Sequence, residues 1–84
     1  MTPDSAALLA GMQRALGIIA ARHHGDVAGA QALAAEFTDD AERAHAFLLL
    51  TEVSLTLVSG GSGRPVPDVV RDLSLRIAAL AAAD

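Results

Sequence analysis

Cysteine, tryptophan, tyrosine and lysine are all missing from this chain of 84 residues, and Phe37 and Phe47 are its only aromatic rings besides three histidines. Without thiols, neither disulfides nor thiolate metal sites can staple the fold. The lack of cysteine also agrees with a cytoplasmic setting, which is the expected location. Two aromatic rings provide no platform for stacking on single-stranded bases. Six arginines stand against ten acidic residues, for a formal net charge of -4. Phosphate backbones are held mainly by neutralising cations, so a nucleic-acid partner is not expected. Nor does any basic run suit an anionic membrane surface.

Other absences narrow the fold. No stretch alternates apolar and polar residues with the period of a strand, and no internal repeat is present. The opening "MTPDSAALLAGM" carries Asp4 where a secretory leader needs positive charge, so no targeting segment is expected. The most apolar stretch, "AHAFLLLTEVSLTLV" (residues 44 to 58), falls short of the about 20 apolar residues of a membrane span, and Glu52 interrupts it. No membrane partner is expected.

What is present is helical punctuation. Thr2 can cap a first helix, Pro3 suits its first position and Asp4 its positive end. Leu8, Met12, Ala15, Leu16 and Ile19 then recur on one face until "RHHGD", where Gly25 can take the left-handed conformation that ends helices. Asp26 is a natural cap for a second helix with Val27, Ala30, Leu33, Ala34 and Phe37 on its apolar side. Asp39 and Glu42 have the spacing of a capping box and open a third helix, closed by a flexible turn at "SGGSG". Pro67 and Asp68 begin the fourth. There Val66, Val69, Val70, Leu73, Ile77, Leu80 and Ala81 share a face expected to join the core, with Leu75, Ala79 and Ala82 opposite. Asp72 and Arg76 are spaced for an ion pair in the favourable order.

The expected fold class is all-α: a small four-helix bundle with a short second helix and a central, nearly all-apolar third helix. A single domain, 1–84, would carry helices over about 3–24, 27–37, 40–59 and 66–83, with the turn at 59–65.

The third helix separates into two apolar faces on a helical wheel. Ala46, Leu50, Val53 and Leu57 make one; Ala44, Leu48, Leu55 and Val58, with Thr51, make the other, roughly 150° away. Phe47 sits between them. His45, Glu52, Thr56 and Ser59 form a narrow polar stripe with Glu42 at its edge. Two apolar faces need two covering layers, yet a chain of this size buries only about 60% of its unfolded surface. Self-association is a common remedy for so small a core. The function expected from this pattern is a non-catalytic helical interaction module: an adaptor, regulator or accessory subunit. Its partners would be a second copy, as a homodimer, another protein, or both. Ala46, Phe47, Leu50, Val53 and Leu57 would make the contact, with Glu52 setting orientation. Arg14, Arg22, Arg71 and Arg76 are the candidate mates for Glu52.

The alternative is a metal or small-ligand site, with scope for catalysis. Glu42 and His45 have the Glu-x-x-His spacing of di-metal bundles, and His23 and His24 are further candidate ligands. A full site of that kind wants a second motif and more glutamates than Glu36 and Glu52, so no metal or cofactor is expected. In the simpler account Glu42 caps its helix, His45 lies on a solvated stripe, and His23 and His24 favour the negative end of the first helix. None of Ser54, Ser59, Ser62 and Ser74 stands in a nucleophile-elbow context. The glycine-rich "SGGSGR" lacks the lysine of a phosphate-binding loop, although Arg64 follows it.

Overall fold

A computed structural model describes the backbone of residues 3–83 and side chains from Ser5 onward. The expected cap Thr2 and the side chains of Pro3 and Asp4 lie outside the described residues. The fold is all-α, with α1 (Pro3–His23), α2 (Val27–Ala34), α3 (Asp40–Ser62) and α4 (Val66–Ala82), and no strand among the described residues. Two compact units divide it, Met1–Thr51 and Glu52–Asp84, and the boundary falls inside α3.

In the first unit, α1 ends where the sequence places its stop. Gly25 adopts a φ of 76°. This lets Asp26 N–H reach the Ala21 carbonyl at 2.8 Å and Gly25 N–H reach that of Arg22 at 3.1 Å, the paired bonds of a Schellman ending. Asp26 then caps α2, its Oδ1 accepting from Gly29 N–H at 2.8 Å. A side-chain cap of this kind is worth about 1 kcal/mol.

The second helix is shorter than the expected 27–37. After Ala34 the chain tightens, and the N–H groups of Glu36 and Phe37 bond three residues back to Leu33 and Ala34. The tightened turn delivers the Phe37 ring to the core, where only 8% of the residue is exposed. It also brings Glu36 within 3.2 Å of Arg14 Nε. Asp39 then caps α3 as expected, but the return bond of Glu42 reaches past it. Asp39 Oδ1 accepts from Glu42 N–H at 2.8 Å, while Glu42 Oε2 accepts from Thr38 N–H at 3.4 Å, one residue before the cap.

The core of this unit comprises Ala15, Ile18, Ala30, Phe37, Ala46 and Leu50, flanked by half-buried Ala21, Leu33, Ala34 and Phe47. This corrects the expected face of α1. Its buried seam is Gly11, Ala15 and Ile18, whereas Leu8, Leu16 and Ile19 are exposed. The reason is close approach of backbones. A Cβ at Gly11 would sit 3.4 Å from the Ala46 Cβ, and Ala15 is fully buried. Small side chains meeting small side chains draw the helices together on the ridge that carries least bulk. The larger residues of α1 are left on its flanks.

In the second unit the expected turn at 59–65 shrinks to three residues, because α3 continues through Gly60 and Gly61 to Ser62. Two glycines weaken a helix by about 1 kcal/mol each relative to alanine, but they do not end it. The stop comes at Gly63, with a φ of 71°, whose N–H bonds the Ser59 carbonyl at 3.0 Å. Ser59 Oγ donates to the Arg64 carbonyl, and Arg64 N–H bonds Ser62 Oγ at 3.3 Å, so the serines fasten this turn. Pro65 precedes α4 in an extended conformation and Pro67 occupies its first turn, as expected. Asp72 accepts from Arg64 at 3.3 Å and pairs with Arg76 at 3.6 Å.

The expected core face of α4 is corrected as well. Only Val69 is buried and Val66 half-buried, while Val70, Leu73, Ile77, Leu80 and Ala81 are exposed.

Candidate functional site

The two halves of α3 treat the same apolar face differently. Ala46 and Leu50 lie in the first unit's core, with Phe47 half-buried against it. One and two turns further on, Val53 and Leu57 continue that face into solvent. They border a shallow depression of about 310 Å³ with Glu52 and Thr56. On the opposite face Ala44, Leu48, Thr51 and Val58 are exposed and Leu55 is half-buried. Two threonine hydroxyls bond back to the helix: Thr51 Oγ1 donates to the Phe47 carbonyl at 2.7 Å and Thr56 Oγ1 to that of Glu52 at 2.9 Å.

Glu52 itself stands exposed and has no ion pair among the described residues of its own unit. Of the candidate mates, Arg14 pairs with Glu36 at 3.2 Å and approaches Glu42 at 3.9 Å, while Arg76 pairs with Asp72.

Glu42 and His45 border a different feature. An open groove of about 450 Å³ runs between α1 and the start of α3, lined by Ala7, Leu8, Gly11, Ala41 and Ala46 with these two polar side chains. Glu42 takes part in the α3 cap there, and His45 is exposed. His23 and His24 sit edge to face at the end of α1, ring centroids 5.7 Å apart. Among the described residues no three His, Asp or Glu side chains gather as a metal site would need. Arg64 is engaged by Asp72 and by the Asp68 carbonyl at 3.3 Å.

The α4 surface escaped the sequence reading, which gave the whole stripe to the core. Val70, Leu73, Ile77 and Leu80 form a row of exposed apolar residues. The row was visible as a pattern; its exposure was not, because periodicity shows which residues share a face without naming what lies against it.

Length adds a further property to α3. At 23 residues it measures about 34 Å, and by length and composition alone it could cross a membrane. The segment too short to span is thus part of a longer helix, of whose most apolar window 11% is buried. No family model, curated protein or solved structure matches the chain. The class that the fold defines is an all-α protein of four helices, with a long apolar third helix.

Proposed function

We propose that this protein is a non-catalytic helical interaction module that associates with a second copy of itself through the exposed part of α3. The observation that carries the reading is the fate of one apolar face. Ala46 and Leu50 are covered by the first unit, while Val53 and Leu57 extend the same face uncovered, with Leu48 and Val58 exposed behind them. Fully burying such a side chain is worth about 1.5–3 kcal/mol, and contiguous exposed patches of this kind mark interaction surfaces. Glu52 and the Thr56 backbone turn border the patch and give a partner a polar edge for orientation.

A protein surface suits this face better than lipid. Glu52 lies near the middle of α3, where a carboxylate in hydrocarbon is costly. At a protein interface it can stay at the wet rim. Sedimentation equilibrium across a concentration series tests the reading. Wild-type protein is expected to exceed the 8.5 kDa of one chain as concentration rises. Val53→Asp with Leu57→Asp is expected to weaken association at least tenfold while leaving helicity intact, since both sites are exposed. A single-chain mass at every concentration refutes self-association.

The groove between α1 and α3 favours a second reading, a small-molecule site. An apolar trough with Glu42 and His45 at one border suits an apolar molecule carrying one cationic or hydrogen-donating group. Hexylamine is a suitable probe. Its titration is expected to shift the amide resonances of Ala7, Gly11, Ala41 and Ala46 saturably, and less so in His45→Ala. Shifts that stay linear to high concentration rule the site out.

A further inference from the structure

We infer that the first unit binds an apolar monocarboxylate in the groove between α1 and α2, with Arg22 holding the carboxylate. The site is separate from the α3 surface proposed for self-association and from the trough beside Glu42 and His45. Its groove, of about 410 Å³, is lined by Ile18 and Arg22 of α1 and by Val27, Ala30, Gln31 and Ala34 of α2.

The way the two helices pack leaves this space. Leu33 fills one part of their contact, its Cδ1 only 3.0 Å from where a Cβ on Gly17 would stand. In the groove, Ile18 and Ala30 are buried and form an apolar floor, with Ala34 half-buried beside them. Neither alanine is long enough to fill the groove. Its polar side chains, Arg22 and Gln31, are exposed at the margin.

Arg22 is the one arginine among the described residues of this unit that the fold leaves unpaired. Arg14 pairs with Glu36 and Arg43 with Asp40, whereas Arg22 has neither an ion pair nor a side-chain hydrogen bond. Two local partners are near it in sequence, and neither is taken. Asp26 stands four residues on, which is an ion-pair spacing only where a helix continues. Here α1 has ended, Gly25 turns the chain, and Asp26 Oδ1 accepts from Gly29 N–H at 2.8 Å instead. The last carbonyls of a helix also attract a basic side chain. Those of Ala20, Ala21 and Arg22 already accept the backbone N–H groups of His24, Asp26 and Gly25.

An unpaired guanidinium beside an apolar floor matches one ligand chemistry, a single carboxylate on an apolar tail. The planar fork of arginine meets a carboxylate through two parallel hydrogen bonds, each stronger than a neutral one. The Gln31 amide can add a further donor. The tail would cover Ile18, Ala30 and Ala34 and take their surface out of water. No carboxylate lines the groove, so a cationic ligand gains no counter-charge there. The volume is at the lower end of the about 300–1,000 Å³ usual for small-molecule sites, which suits a tail of medium length.

Octanoate is the probe, titrated into isotope-labelled full-length protein and followed through the amide resonances. Acetate lacks its tail, octanol lacks its charge, and octylamine reverses that charge. Octanoate is expected to shift the amides of Ile18, Val27, Ala30 and Ala34 saturably. It is also expected to bind at least tenfold more tightly than any of the other three. Arg22→Gln is expected to weaken octanoate binding at least tenfold and to leave octanol binding unchanged; circular dichroism checks that this variant folds. The comparison of the four compounds on the wild type needs no variant. If acetate, octanol or octylamine binds as tightly as octanoate, the inference is wrong. Shifts that stay linear with concentration also overturn it, as do shifts centred on Val53 and Leu57, which place the tail on α3. So does a folded Arg22→Gln protein with wild-type affinity for octanoate, because the carboxylate is then held elsewhere.

Discussion

Phe37→Ala is expected to destabilise the first unit by about 3 kcal/mol, enough to unfold much of it. Phe37 is the largest member of a core otherwise built from Ala15, Ile18, Ala30, Ala46 and Leu50. Three of those five companions are alanines, which are too short to reach into the space the ring leaves. The loss extends to the surface, because the Arg14 guanidinium lies 5.1 Å from the ring centroid. Small domains start with a margin of about 5 kcal/mol, which leaves little after such a cavity. Urea denaturation followed by circular dichroism measures the effect. Arg14→Ala serves as the comparison: it removes the cation over the ring and the exposed pair with Glu36, and is expected to cost only about 1 kcal/mol. A Phe37→Ala midpoint close to the wild type's would mean that the ring does not anchor the unit.

The second large effect separates two leucines that the wheel treats as equivalent. Leu50 and Leu57 lie seven residues apart on one face of α3, but Leu50 is 7% exposed and Leu57 72%. Leu50→Ala is expected to reduce folding stability by about 2–4 kcal/mol, because it leaves a cavity among Ala15, Ala46 and Phe37. Leu57→Ala is expected to change the stability of the dilute protein by no more than about 0.5 kcal/mol. Its effect belongs to association, which it should weaken at concentrations where the wild type assembles. The two measurements, denaturation at low concentration and sedimentation at high concentration, should therefore show opposite orders. If Leu57→Ala destabilises the dilute chain as much as Leu50→Ala, the second face is covered within the chain and the proposed interface is wrong.

Local chemistry was the most legible part of the sequence. Gly25 and Asp26, Asp39 as the cap of α3, and Asp72 and Arg76 act as their spacing implies, because each device depends on groups only a few residues apart. Boundaries decided by more than one turn were less legible. The end of α2 depends on where the Phe37 ring can be buried, and the end of α3 on Gly63 rather than on the first glycines encountered. At the candidate site, the two apolar faces of α3 and the Glu42–His45 pair could be placed on a wheel. That the pair borders a groove with Gly11 and Ala46 depends on α1, more than thirty residues away in the chain.

The sequence by itself determined the helical class, the caps at Asp26 and Asp39 and the stop at Gly25, and which side chains share each face of α3 and α4. These follow from a fixed turn angle and from hydrogen bonds that close within a few residues. Only the tertiary structure decided which of those faces meet protein. It chose the small ridge of α1 at Gly11 and Ala15 over the larger residues beside it, and it covered Leu50 but not Leu57. It also left Val70, Leu73, Ile77 and Leu80 of α4 exposed. The physical reason is that a helical period reports only direction around an axis. Burial depends on how closely two backbones can approach, and that distance is set jointly by residues far apart in the chain.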